Sequence, residues 1–120
     1  MLTGPPSQIA RRVESLDRAT AFWRDTLGVP ELYAFPGLAF FSLGPTRLML
    51  RETGTRDEAD LLYLPVPDIA KAHAALMLRG VTFSGAPHII HRHPDGTEEW
   101  MAFFKDDEDR DLALHSIVRP

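Results

Sequence analysis

The chain contains no cysteine. That absence excludes disulfide stapling, cysteine-ligated zinc and thiol nucleophiles, and it fits a reducing compartment. Basic residues are not in excess either: 13 Lys and Arg stand against 17 Asp and Glu, for a formal charge of -4. No basic stripe is left to follow a phosphate backbone or an anionic lipid surface, so neither nucleic acid nor membrane is expected as a partner. Long apolar runs are missing as well, and none approaches the roughly 20 residues that span a bilayer. The opening Met1-Leu2-Thr3-Gly4-Pro5-Pro6 has neither a cationic start nor an apolar core, so no signal peptide is expected. The serines (Ser7, Ser15, Ser42, Ser84, Ser116) sit in no nucleophile-elbow context. What remains is ordinary for a globular protein, with 44% hydrophobic and 25% charged residues over 120 positions. A chain of this length buries about two thirds of its unfolded surface. The expectation is one soluble, cytoplasmic domain.

What is present is an internal repeat. Val13-Glu14-Ser15-Leu16-Asp17-Arg18-Ala19 returns as Val66-Pro67-Asp68-Ile69-Ala70-Lys71-Ala72, and Leu27-Gly28-Val29 returns as Arg79-Gly80-Val81. Further on, Phe40-Phe41 answers to Phe103-Phe104, and Arg47 to Leu50 answers to Arg110 to Leu114. The second copy is longer by a His-rich segment over 85–99. Two copies of one supersecondary unit commonly bury apolar faces together and leave a cleft, to which equivalent positions of both contribute.

Hydrophobic periodicity orders the elements. Gln8 to Val13 reads as a strand. Asp17 to Leu27 reads as a helix with an apolar stripe of Leu16, Ala19, Phe22, Trp23 and Leu27, Trp23 being core, and Gly28 follows as a cap. Strands over 31–35, 38–43 and 47–52 are separated by Pro36-Gly37 and Gly44-Pro45. The polar stretch 53–60 is the expected linker. The second copy then gives a strand over 61–66 and a helix over 68–79 with the stripe Ile69, Ala72, Ala75 and Leu76. Strands over 81–83, 87–93, 98–104 and 111–118 follow, with Pro94-Asp95-Gly96-Thr97 as a hairpin loop. The fold class is α+β, two βαβββ modules over about 6–52 and 61–118. By strand parity Leu48, Leu50, Leu112 and Leu114 face the helices, and Arg47, Met49, Arg51, Ala113 and His115 face the cleft.

The phrases Ser15-Leu16-Asp17-Arg18-Ala19, Phe22-Trp23-Arg24-Asp25, Leu27-Gly28, Arg79-Gly80-Val81-Thr82-Phe83 and Trp100-Met101-Ala102-Phe103-Phe104-Lys105-Asp106 resemble the vicinal oxygen chelate superfamily. That superfamily includes glyoxalase I, extradiol dioxygenases and bleomycin-binding proteins. The resemblance covers nearly the whole chain and implies a glyoxalase/bleomycin-resistance-like fold, commonly paired as a homodimer. In metal-dependent members four strands supply His, Glu, His and Glu. Those positions here carry Gln8, Met49, Leu61 and Ala113, so the resemblance implies no metal and no cofactor: Leu and Ala cannot ligate, and Met is too soft for hard divalent ions. The acidic run Asp106-Asp107-Glu108-Asp109 stands where the family often has Asp-Pro-Asp-Gly, and it is read as a solvated turn.

Other residues are candidates for chemistry. His88, His91, His93, Glu98 and Glu99 lie within twelve positions, with His93 expected opposite Glu98, His91 opposite Trp100, and Arg92 paired with Glu99. Three readings of this hairpin stand: a solvated ribbon with offset charges, a ligand contact, or a metal site through His91 and His93. Glu99 is the candidate general base, its pKa raised by Trp100 and Met101, and His115 is either a second candidate or a hydrogen-bonded structural residue. Arg47 and Arg51 can receive a carboxylate or phosphate, or pair with acids at the rim. Tyr63 and Trp100 are expected as walls of an apolar pocket. The leading expectation is a metal-free protein that holds a small, partly apolar molecule between the modules through Gln8, Arg47, Met49, Leu61, Tyr63, His91, Trp100, Ala113 and His115. A divergent lyase, isomerase or dioxygenase-like enzyme using Glu99, His115 or the hairpin histidines is the alternative, and a purely structural role the third.

Overall fold

A computed structural model of the chain describes residues 5, 6, 8–55 and 61–120. Chain contacts divide it into two units, Met1–Glu58 and Ala59–Pro120. The expected linker lies, from residue 56 to 60, outside the described residues.

The first unit runs β1 (Gln8–Val13), α1 (Leu16–Thr20) continuing without a break as a π-helical stretch (Ala21–Thr26), then β2 (Glu31–Phe35), β3 (Leu38–Leu43) and β4 (Thr46–Glu52). Ser15 caps α1, its hydroxyl accepting from the Arg18 N–H, and Glu52 of β4 satisfies the Leu16 N–H at 2.9 Å. The widened turn is fixed by the Leu27 N–H donating to the Phe22 carbonyl, five residues back. Gly28 then takes a φ of 72°, the left-handed conformation that ends the helix. The sheet order is β1-β4-β3-β2, with β1 parallel to β4 and the rest antiparallel. One face carries Val13, Ala39, Phe41, Leu48 and Leu50, all buried, against Ala19 and Trp23 of the helix. Burying leucines such as Leu48 and Leu50 contributes about 1.5–3 kcal/mol each.

The second unit repeats the plan: β5 (Leu62–Pro65), α2 (Ile69–Leu78), β6 (His88–Arg92), β7 (Glu98–Lys105) and β8 (Asp111–Val118), in the order β5-β8-β7-β6. Asp68 caps α2 through the Lys71 N–H. Leu112, Leu114, Ala102 and Phe104 form the buried face with Ile69 and Leu76. The two units are therefore both βαβββ modules, as the repeat implied. No helix among the described residues is long and apolar enough to cross a membrane.

Three expectations are corrected here. Residues 81–83 form no strand: Phe83 makes a single bridge to Phe104 and stacks on it and on His73, at 5.2 and 4.3 Å between centroids. Ala75 is exposed, and half-buried Ala72 and His73 complete the α2 stripe between Ile69 and Leu76. The acidic turn is not solvated. Asp106, Glu108 and Arg110 are buried, Asp106 accepting from the Glu108 and Arg110 N–H groups and pairing with the Arg110 guanidinium at 3.2 Å. Asp109 holds a φ of 64° where a glycine would relax the backbone.

Candidate functional site

The strand registers sort the candidate residues onto faces. In the first sheet Gln8 pairs with Arg47, Ala10 with Met49, Met49 with Phe40 and Phe40 with Tyr33, and cross-strand partners share a face. This is the face away from the helix. It brings Gln8, Arg47 and Met49 together, and with them Tyr33 and Phe35, which the sequence reading passed over. The signal was there: Tyr33 and Phe35 alternate along β2 at the spacing that puts both beside Phe40. Their centroids lie 4.7 Å (Tyr33–Phe40), 5.7 Å (Tyr33–Phe35) and 6.4 Å (Phe35–Phe40) apart. Phe35 is 57% and Tyr33 43% exposed, so this aromatic cluster forms part of an open face.

Arg47 is the best-fixed side chain of that face. Its Nε donates to Gln8 Oε1 at 2.7 Å, its Nη1 donates to the Tyr33 hydroxyl at 2.8 Å, and its guanidinium carbon lies 5.2 Å from the Phe40 ring centre. Gln8 also turns its Nε2 toward Met49 Sδ at 3.8 Å. These contacts bear on how this half of the donor set fits a metal. The one hard oxygen, on Gln8, is already held by a fixed positive charge, and the thioether of Met49 is a soft donor.

The second sheet carries equivalent positions with different chemistry. Met49 corresponds to Ala113, which pairs with Tyr63, and Gln8 corresponds to Leu61, one residue before the Leu62–Leu112 pair. Neither Leu61 nor Ala113 has a donor side chain. The residues at the four ligand positions do not fit a divalent cation, and among the described residues no group of three or more His, Asp or Glu is placed to hold one. A separate depression of about 550 Å³ in the first unit lies on the helix side, lined by polar groups including Asp17, Arg24, Glu31 and Glu52. Of the site residues named above only Phe35, at the end of β2, also lines it.

The helix-free face of the second sheet gathers the histidines. His93 Nε2 donates to Glu99 Oε2 at 2.6 Å, and His115 Nε2 donates to Glu99 Oε1 at 2.9 Å. A carboxylate only accepts, so both Nε2 atoms must carry the proton. His91 lies edge-on to His93, with 4.4 Å between ring centres, and Tyr63 lies 6.5 Å from the His115 ring. Several expectations change. Glu99 does not have a raised pKa: its carboxyl is held below the ordinary value, first by the His93 hydrogen bond, then by that of His115, with desolvation opposing. The loop closes one residue earlier than expected, with the His93 N–H bonded to the Thr97 carbonyl, so His91 pairs with Glu99 and Arg92 with Glu98; a bulge between Ile89 and His91 then shifts the pairs beyond it, Ile89 with Trp100 and His88 with Met101. The ion pair is accordingly Arg92–Glu98 at 2.6 Å, and His93 pairs with Glu99. Trp100 pairs with Ser116, on the helix-side parity, and its Nε1 donates to Glu98 at 3.0 Å. It therefore lies on the opposite face from Tyr63 and His115 and cannot line a wall with them.

Comparison with known proteins agrees with this architecture. The family model described as Glyoxalase/Bleomycin resistance protein/Dioxygenase superfamily matches residues 6–111. No curated protein matches. Among solved structures, a glyoxalase/bleomycin resistance protein/dioxygenase from Alicyclobacillus acidocaldarius is 15% identical with a TM-score of 0.76, over 93% of this chain and 90% of that one. A lactoylglutathione lyase from Agrobacterium tumefaciens is 22% identical with a TM-score of 0.69, over 94% and 96%. A virulence protein from Salmonella typhimurium is 12% identical with a TM-score of 0.79, over 98% and 100%. Identities this low establish the shared fold and leave the chemistry to the residues. With a family model spanning most of its length, the chain belongs to the glyoxalase/bleomycin resistance protein/dioxygenase superfamily.

Proposed function

We propose that the protein is a metal-free binder of small, partly apolar molecules, and that it works as a homodimer. The observation that carries the reading is the open face of the first sheet, where Tyr33, Phe35, Phe40 and Met49 surround an arginine braced by Gln8 and Tyr33. An apolar surface with a few fixed polar groups is the usual composition of a small-molecule site. The substitution of Gln8, Met49, Leu61 and Ala113 at the family's ligand positions supports the metal-free part. Reactions that need a Lewis acid at those positions are not supported by these side chains.

An enzymatic reading has one specific observation in its favour. Glu99 holds two imidazoles in fixed tautomers, which leaves each Nδ1 as the acceptor nitrogen. A His115 so oriented would accept a proton at Nδ1, with Glu99 in a positioning role rather than as the base. The test of the binding reading is a fragment titration followed by amide and methyl chemical shifts. Aromatic fragments are expected to shift Tyr33, Phe40 and Met49 saturably. Saturable shifts confined to the second sheet would remove this site from the reading.

A further inference from the structure

Arg47 contrasts with three other arginines of this chain in how its charge is left. Arg24, Arg92 and Arg110 each hold a carboxylate, at 2.8, 2.6 and 3.2 Å. The contacts of Arg47 are to neutral groups, the Gln8 amide, the Tyr33 hydroxyl and the Phe40 ring, and no carboxylate partner occurs among the described residues. A guanidinium has five N–H donors, and these bonds use one on Nε and one on Nη1. The bracing therefore fixes the plane of the fork and leaves the Nη2 donors directed elsewhere. By register the same face carries Arg12 opposite Arg51 and Met49 beside Phe40, and no Asp or Glu stands on it along the four strands. The acids of this sheet, Glu31 and Glu52, lie on the other face, where they bind Arg24 and the Leu16 N–H. A pre-oriented cation beside the exposed rings of Tyr33 and Phe35, on a face that carries no acid among the described residues of its four strands, is complementary to a flat anion.

We propose that this face takes a small aromatic carboxylate, with the carboxylate in the fork of Arg47 and the ring against Tyr33, Phe35 and Met49. The proposal rests on the binding reading above and names its ligand class. A carboxylate is favoured over a phosphate because the planar fork matches two coplanar oxygens and the remaining neighbours are apolar rings rather than further donors.

The test compares 2-naphthoate with 2-naphthamide, which has the same ring and no charge, by calorimetry and by the Arg47 Nε–H resonance of the full chain. Naphthoate is expected to bind about tenfold or more tightly than naphthamide, the scale of a charge-assisted hydrogen-bonded pair. Arg47→Gln should bring naphthoate down to the level of naphthamide, and Arg47→Lys, which keeps the charge and loses the fork, should fall between. Thermal melts of both variants report on folding, and if one fails to fold the other decides. Equal affinities for the two ligands in the unaltered protein, or a naphthoate affinity indifferent to Arg47→Gln, would overturn the carboxylate assignment while leaving apolar binding intact. No shift at Tyr33, Phe40 or Met49 with either ligand would overturn both.

Discussion

At the scale of single residues, Glu99 shows how a group's partners reverse what its sequence neighbours imply. Trp100 and Met101 follow it in the chain and suggest an apolar surround that would favour the neutral acid. In the strand, however, Trp100 points to the opposite face, and the groups that reach Glu99 are two imidazole N–H donors, which favour the ionised form. The sign for stability follows. A carboxyl whose folded pKa lies below its unfolded value stabilises the fold fully above the unfolded value, and that contribution is lost as pH falls through the folded one. Glu99 starts from an ordinary value of 4.5, so the loss begins below that pH. Denaturant midpoints measured from pH 7 down to 3 should fall more steeply for the unaltered protein than for Glu99→Gln, the two curves converging at the acid end. Parallel curves would show that neither histidine bond persists in solution.

Elements carry the next lesson, and the turn between β7 and β8 is the clearest case. Four consecutive acids look like a solvated loop because charge is ordinarily exposed. Nothing in the local sequence shows that Arg110, four residues after Asp106, folds back beneath the turn and that the pair is buried, with side-chain exposures of 5% and 0%. Breaking a buried pair by removing one partner costs about 3–5 kcal/mol, because the other charge stays behind without compensation. Asp106→Ala should therefore destabilise by that order in urea unfolding, and more than Asp111→Ala, whose pair with Lys105 is solvent-exposed. The hairpin of β6 and β7 was misread for a related reason. Its loop was legible from Pro94 to Thr97, and His93 does bond Thr97 across it. The residue that closes it was not, because His93 pairs with Thr97 rather than with Glu98, and one residue there changes the pairing of His91 and Arg92; the bulge between Ile89 and His91, unmarked by glycine or proline, shifts the pairs beyond it again.

For the molecule as a whole, the repeat made most of the architecture readable, because apolar spacing conserved between two copies leaves few arrangements open. Phe41 and Phe104, Leu48 and Leu112, and Leu50 and Leu114 are buried at equivalent positions, as the repeat required. The chemistry was less readable, since the helix-free faces depart from each other. Arg47 stands where the second copy has Asp111, and Arg51 where it has His115, so one sheet presents cations beside aromatic rings and the other a carboxylate shared by histidines. Of the four family ligand positions three carry no hard donor and the fourth, Gln8, has its oxygen held by Arg47, and this gives a prediction for the intact chain. A divalent ion bound to the native state 100-fold below its working concentration would raise stability by about 2.7 kcal/mol, a shift of several degrees for a chain this size. Zinc, nickel and manganese at equimolar amounts, and an excess of chelator, should each leave the melting temperature where it was. Native mass spectrometry of the same samples should show a dimer without metal. One retained ion per chain, with a matching rise in melting temperature, would locate a site outside those four positions, and the cluster of His91, His93 and His115 around Glu99 would be the first place to mutate.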